Sequence, residues 1–395
     1  MKLLYSLLVA TTCVLAQTPG QASGAGKTGP GGLTINPGGE YKRSMVGTDF
    51  STNNTYRNPI MTINAGDPFM TRYNDWYLFT FSTNDNITIK RSRSLTADWD
   101  YAETKVVFTP DAAEACPWCT DLWAPEIHNI NNKWYIIFSA TPDADNPLPL
   151  LDAMCPYACP AINHRMFVLE SSGSDPWTSN YSMKGELDTF DQFAIDGTYF
   201  KFKGELYHIY SCWENKYSGW PANLCITHLS NPWTVDSTLL ERRMISVPNN
   251  PWEQVPYGRP GRLATNEGPQ QLTNPKTGQN FVLYSAARVN TPFYCVGMLE
   301  LVGEDPDPMQ YSSWKKHNEN CVFHQNPSQG VYGTGHASYT TSPDGTEPYI
   351  VYHALTTDNP EPALYRTTRT QKFKFGEDGF PVFPAAANGP FPLPS

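Results

Sequence analysis

The chain has 395 residues, with 28 Lys and Arg against 38 Asp and Glu, a formal charge of −10, and only 17% of its residues are charged. So low a charge density excludes an intrinsically disordered chain, and the acidic balance excludes a protein that seeks nucleic acid through a basic face. Aromatic residues make up 13%, beside 35 Pro and 28 Gly, which favours many short aromatic strands joined by turns over long helices.

Met1-Lys2-Leu3-Leu4 through to Ala16-Gln17 combines one positive charge, a short apolar stretch and a small residue before a polar one. That is the pattern of a cleaved secretory signal, assigned here to residues 1–16. The stretch is shorter than the about 20 apolar residues a membrane span needs, and none later is longer. A secreted, extracellular protein with no membrane and no nucleic-acid partner is expected. Residues 17–40, rich in Gly, Pro and Ser, read as a flexible leader, and the Pro-rich tail from Phe383 to Ser395 as an extended surface segment.

Cysteine usage agrees with export. Beyond Cys13 there are eight: Cys116, Cys119, Cys155, Cys159, Cys212, Cys225, Cys295 and Cys321. Proximity suggests Cys212 with Cys225 and Cys295 with Cys321 as local staples, with the two close pairs clipping neighbouring loops. Cys116-Pro-Trp-Cys119 also has the form of a redox or zinc half-site, but an oxidising compartment favours a structural bridge. Sequons at Asn53, Asn86 and Asn180 fit a glycosylated exported protein.

Five segments run from a polar anchor through a turn into an aromatic strand ending near a small residue. They begin at Asp67, Glu126, Asp196, Glu267 and His336 and continue into Trp76–Ser82, Trp134–Ser139, Leu206–Ser211, Phe281–Ser285 and Tyr349–His353. The anchors lie 59, 70, 71 and 69 residues apart, a length of the order that a blade of four strands needs. Third strands are visible at 87–91, 164–169, 224–228, 294–298 and 364–367. The pattern predicts an all-β, five-bladed β-propeller in which each anchor begins the innermost strand, filling residues 41–395 as a single domain.

First strands of a propeller line its channel, so four carboxylates and a histidine meet at one mouth. Crowded carboxyls push each other's pKa apart, the condition for one to act as acid while another acts as base, as glycosidic hydrolysis requires. Each anchor taken alone is equally an Asp or Glu capping a strand-turn motif through its backbone. Carboxylates in such a channel also suit Ca²⁺. Aromatic faces at the mouth suit stacking on sugar rings, and Phe69, Trp123 and Trp213 are best placed for it, with Trp118 shaping the pocket mouth; Trp76 and Trp134 read as packing residues.

The motifs as an ordered set resemble glycoside hydrolase family 43, inverting enzymes with a five-bladed propeller. The matching pieces are Asn58-Pro59-Ile60, Gly66-Asp67-Pro68-Phe69, Leu122-Trp123-Ala124-Pro125-Glu126-Ile127-His128, Ile195-Asp196-Gly197-Thr198, Asn266-Glu267-Gly268-Pro269, Gly333-Thr334-Gly335-His336 and the run from Val351 to Gln371. The resemblance implies that Asp67 is the general base, Glu267 the general acid and Asp196 the third carboxylate, which tunes and orients the acid. It implies that His336 helps hold a central water or a calcium ion, with no cofactor required. Arg366 is expected either to bind a sugar hydroxyl or to brace a carboxylate, and Glu126 either to touch substrate or to brace the site. The wording of the motifs looks most like extracellular exo-acting α-L-arabinofuranosidases on α-1,5-arabinan, with arabinan or arabinoxylan oligosaccharides as partners. β-Xylosidase and endo-arabinanase of the same family are the nearest rivals. A retaining fructan hydrolase lacks its Asn-Asp-Pro-Asn motif here, and a non-catalytic sugar-binding propeller would lack one of the three carboxylates.

Overall fold

Runs such as Ile136-Ile137-Phe138 and Phe281-Val282-Leu283 are apolar at consecutive positions, so as strands they need cover on both faces. Stacking several small sheets face to face around an axis provides it, and these runs are buried throughout. The computed structural model describes residues 47–49, 54–63, 65–111, 116–142, 163–216, 218–219, 221–255, 264–289, 291–317, 319–358 and 366–395. The expected signal and leader, the sequon Asn53, Cys155 and Cys159 lie outside them.

Five antiparallel sheets follow one another along the chain. Blade 1 consists of Phe69–Tyr73, Trp76–Thr80, Ile87–Ser92 and Glu103–Phe108. Blade 2 consists of Thr120–Ile130, Lys133–Thr141, Arg165–Ser171 and Tyr181–Leu187. Blade 3 has Ala194–Phe202, Glu205–Cys212 and Asn223–Asn231, whose outer edge takes both Thr234–Val235 and Arg243–Ser246. Blade 4 has Asn266–Thr273, Asn280–Ala286, Cys295–Leu301 and Trp314–His317. Blade 5 has Tyr332–Thr341, Pro348–Leu355 and Thr367–Lys372. The five-bladed propeller is therefore as expected, and among the described residues the only helical elements are short 3-10 turns. Tight hairpins join first and second strands: Asn131-Asn132 and Lys203-Gly204 hold positive φ at both central positions, the twist that suits a two-residue connection.

Two expectations need correction. The third strand of blade 5 starts at Thr367, not Leu364; Arg366 stays out of the sheet because its guanidinium pairs with Asp67, and 364–365 lie outside the described residues. The Pro-rich tail is tied in rather than merely surface-laid: Phe391–Pro392 pairs with Thr55–Tyr56, and Ala386 is fully buried. The disulfides Cys116–Cys119, Cys212–Cys225 and Cys295–Cys321 are formed.

The ring is closed by chain from its start. Ile60 and Met61 hydrogen-bond Thr368 in the outer strand of blade 5, beside a two-way pairing of the Asn58 amide with the Thr370 backbone, 2.9 Å in each direction. No disulfide among the described residues links the first blade to the last, so these bonds resist opening of the circle. Asn58→Ala should cost about 1–3 kcal/mol by stranding the buried Thr370 N–H. Urea denaturation should show a larger loss than Arg57→Ala, whose guanidinium makes one part-buried bond to the Gly389 carbonyl.

Candidate active site

At the mouth end of each inner strand one left-handed residue stands at the same level: Asp67 (φ 56°), Ala124 (44°), Asp196 (55°), Gly268 (54°) and His336 (45°), with Asp121 and Gly333 left-handed three residues earlier in blades 2 and 5. In blades 2 to 5 the pairing register slips across this residue, at Trp123/Glu126, Ile195/Thr198, Glu267/Gln270 and Gly335/Ser338. A left-handed residue in a bulge turns the chain so that successive side chains leave the sheet alternation. Left-handed non-glycine residues cost about 1–3 kcal/mol each and persist where surroundings over-determine them.

The surroundings here are the ends of the second strands, where an aromatic residue is followed by Ser or His. The hydroxyl of Ser82 accepts the Ala124 N–H at 2.8 Å, Ser285 accepts the His336 N–H at 2.6 Å, and Ser211 donates to the Asn266 carbonyl at 3.0 Å. His353 closes the circle by accepting the Asp67 N–H on Nδ1 at 3.2 Å. Four of the five blades thus pin the turn of the next inner strand. Burial pushes His353 down to about 4, so it is neutral and free to accept.

This register corrects the anchor set. Blade 2 has Ala124 at the equivalent position, and Glu126 lies two residues further down the strand, level with Thr198, Gln270 and Ser338. Glu126 is only 2% exposed; Gln270 donates to one oxygen and His128 lies 2.8 Å from the other. Burial holds its carboxyl well above the usual range. Of the two roles expected for Glu126 the geometry fits bracing, because no oxygen is left for substrate. Glu267 stands one residue before Gly268, level with Trp123 and Ile195, so the glycine takes the left-handed turn.

Asp67, Asp196 and Glu267 converge, each strongly buried and each within the field of the others. Burial raises the Asp67 carboxyl, but the Arg366 guanidinium on Oδ1, together with His336 and His353, outweighs it and holds the group well below the usual carboxylate range. The Ser82 hydroxyl donates to Oδ2 at 2.6 Å, and His336 Nδ1 lies 3.2 Å from Oδ1. Glu267 is pushed up to about 7 by burial and by the Asp67 charge, against a hydrogen bond from the Tyr294 hydroxyl at 2.8 Å. Asp196 is also raised, by burial and then by Glu267, although it accepts the Gly268 N–H at 3.2 Å. Asp196 and Glu267 thus titrate as a pair that retains a proton while Asp67 has lost its own.

Arg366 therefore braces a carboxylate, the second of its two expected roles. Its guanidinium lies against Gly66, where a Cβ would overlap it. Among the aromatic candidates, Trp123 is part-exposed, stacks on His164 at 4.0 Å and donates from its indole N–H to Asn84 at 2.9 Å. Phe69 is part-exposed against His128. Trp213 is corrected: it is 1% exposed and stacked on Phe193, so no face remains for a sugar. Trp118 packs edge-on against Phe167. His336 was expected to hold water or calcium. Its ring nitrogen faces Asp67, whose oxygen Arg366 already takes, and no group of three His, Cys, Asp or Glu among the described residues could hold a metal.

Sequence reasoning missed Tyr294 and Ser82 as site residues. Ser82 was signalled by the repeated aromatic-Ser/His pair at 81–82, 138–139, 210–211, 284–285 and 352–353. Tyr294 had no such signal, because it sits just ahead of the third strand of blade 4.

Comparison with known proteins bears on this geometry. The family model "Glycosyl hydrolases family 43" matches residues 56–381. An extracellular exo-α-(1→5)-L-arabinofuranosidase of Streptomyces avermitilis is 32% identical over 83% of this chain and 63% of its own. α-L-Arabinofuranosidase B of Pyricularia oryzae is 30% identical over 86% of this chain and 65% of its own. The chain thus spans just under two thirds of the length of these two relatives. The crystal structure of an α-L-arabinofuranosidase from Lactobacillus brevis superposes with a TM-score of 0.72 at 28% identity, over 84% of this chain and 97% of that one. Fold, ordered motifs and matched span together make the chain a member of glycosyl hydrolase family 43.

Proposed function

We propose that the protein is a secreted inverting glycosidase that releases L-arabinofuranose from the ends of plant cell wall arabinan or arabinoxylan chains. The observation that carries this is the split in protonation at one channel mouth: Asp67 ionised beside Arg366, and Glu267 protonated in a buried pocket. The names of the two relatives support arabinofuranose as the sugar, and one of them is named extracellular. No helix among the described residues is long and apolar enough to cross a membrane.

In this mechanism Glu267 gives its proton to the leaving glycosidic oxygen while Asp67 takes one from a water attacking the opposite face of the sugar. The strong pairing of Asp67 makes it a weak base. Water becomes acidic as it bonds to the anomeric carbon, so a weak base that is always ionised and rigidly aimed suffices. Asp196 accepts the Gly268 N–H beside Glu267 and shares its titration with that carboxyl, so it orients the acid and bears on its proton affinity. NMR of the first-formed anomer from aryl arabinofuranoside, aryl xyloside and linear arabinan tests sugar and stereochemistry together. Inverted arabinose is expected; retained configuration, or turnover of the xyloside alone, contradicts the reading.

Four further outcomes follow from the site. Asp67→Ala should lose about 10²–10⁴ in kcat on every substrate, whereas Glu267→Ala should keep most of its rate on substrates with good leaving groups, which need little protonation. The kcat/KM profile should fall on the alkaline side near pH 7, where Glu267 loses its proton, and stay high into the acid range, where Asp67 remains charged. Tyr294→Phe removes a bond that favours ionised Glu267, so the alkaline limb should move to higher pH. Gly66→Ala should displace the Arg366 guanidinium and, like Arg366→Ala, let burial raise Asp67, so that the acidic limb moves up in both variants.

A further inference from the structure

Away from the channel, a cavity of about 250 Å³ opens on the flank between the outer edge of blade 3 and the outer strands of blade 4. Its lining includes Ser246 and Val247 from the outer edge of blade 3, Trp314 and Lys316 from the outer strand of blade 4, and Asn250 and the exposed Tyr311. Its volume lies below the roughly 300–1,000 Å³ of pockets that take drug-sized ligands, so it has room for one sugar ring rather than a chain.

The chemistry of the lining is neutral and polar with an aromatic lip. Lys316 is the one cation on the wall, and its ammonium is already committed: Glu253 lies at 2.9 Å and the Val247 carbonyl at 2.7 Å. The cavity therefore offers no free charge to an ionic ligand. The Asn250 side-chain nitrogen, by contrast, is buried and has no hydrogen-bond partner, a donor whose desolvation goes uncompensated until something polar reaches it. Tyr311 is 59% exposed, a large aromatic ring left on the surface beside that donor. An aromatic face together with an unpaired amide donor is the combination that holds a neutral polyhydroxylated ring.

The cavity is also wired to the acid. The Ser246 hydroxyl in its wall donates to the Asn266 side chain at 2.6 Å, and the Asn266 amide donates to buried Glu253 at 2.8 Å. Asn266 is the residue immediately before Glu267. A ring held in the cavity thus lies two side chains from the backbone that carries the acid, at the same end of the inner strand.

We propose that this cleft is a second carbohydrate site, which holds a neutral sugar unit of the polymer while a chain end occupies the channel. The ligand class rests on the reading of the protein as a polysaccharide hydrolase; the site itself rests on the cavity and its lining. The test is affinity electrophoresis of the full chain through gels containing linear arabinan or arabinoxylan, alongside kcat/KM on the polymer and on an aryl arabinofuranoside. Tyr311→Ala should weaken retardation roughly three- to ten-fold, the worth of one aromatic contact, and lower the ratio of polymer to aryl-glycoside kcat/KM by a similar factor. Asn249→Trp, which plugs the mouth from an exposed position, should do the same. No retardation of the unmutated protein by either polymer, or retardation and ratio unmoved in both variants, overturns the second site. Failure to hydrolyse any arabinofuranoside would instead overturn the activity, and would leave the retardation result to decide the cleft by itself.

Discussion

A carboxylate stays charged inside a protein only when a cation stands beside it, and the guanidinium of Arg366 on Asp67 is the contact on which the rest of the site depends. Without it, only His336 and His353 would stand against the burial of Asp67, and its lead in ionising over Asp196 and Glu267 would shrink. With it, the proton distribution is fixed by position: Asp67 gives its proton up, and the Asp196 and Glu267 pair keeps one. Gly66 belongs to the same device, since only a residue without Cβ lets the guanidinium lie flat against the chain next to Asp67.

The propeller supplies the convergence, and it does so through backbone rather than through the loops alone. One left-handed residue per blade turns the inner strand at the same level, and the Ser or His ending a second strand holds the next bulge in four of the five junctions. The remaining junction has Ser139 at the equivalent place, a buried hydroxyl without a partner among the described residues. Because the bulges are pinned around a closed ring, the closing bonds of Asn58 and Ile60 to blade 5 bear on the site as well as on stability: Asp67 is held by blade 5 through both His353 and Arg366.

Much of this was legible in the residue order. The five aromatic runs at intervals of about 70 residues specify the blade count, because only sheets stacked on both faces can bury them, and the ordered motifs around Asp67, Asp196 and Glu267 specify the channel. What the order conceals is register. Glu126 is as conspicuous as Glu267, yet it points into the packed layer below the mouth, because in blade 2 the left-handed turn falls at Ala124. Trp123 lies on an inner strand, whereas Trp213 comes just past the end of the second strand of blade 3 and is stacked on Phe193. Arg366 left two roles open, since only the folded ring brings residues 66–67 and 366 together. Tyr294 lies in a short approach to a strand, where no periodicity marks it, and its hydroxyl on Glu267 emerges only from the packing of blade 4.

The central claim is that the channel holds its two working carboxyls in opposite protonation states. The most direct measurement is a ¹³C NMR titration of the side-chain carboxyls, with Asp67→Asn and Glu267→Gln proteins assigning the two signals. The account predicts that the Asp67 signal stays in its ionised position well below the ordinary carboxylate range while the Glu267 signal moves with a midpoint near 7. An Asp67 signal that moves at higher pH than that of Glu267, or two signals moving together at an ordinary carboxylate midpoint, would contradict it.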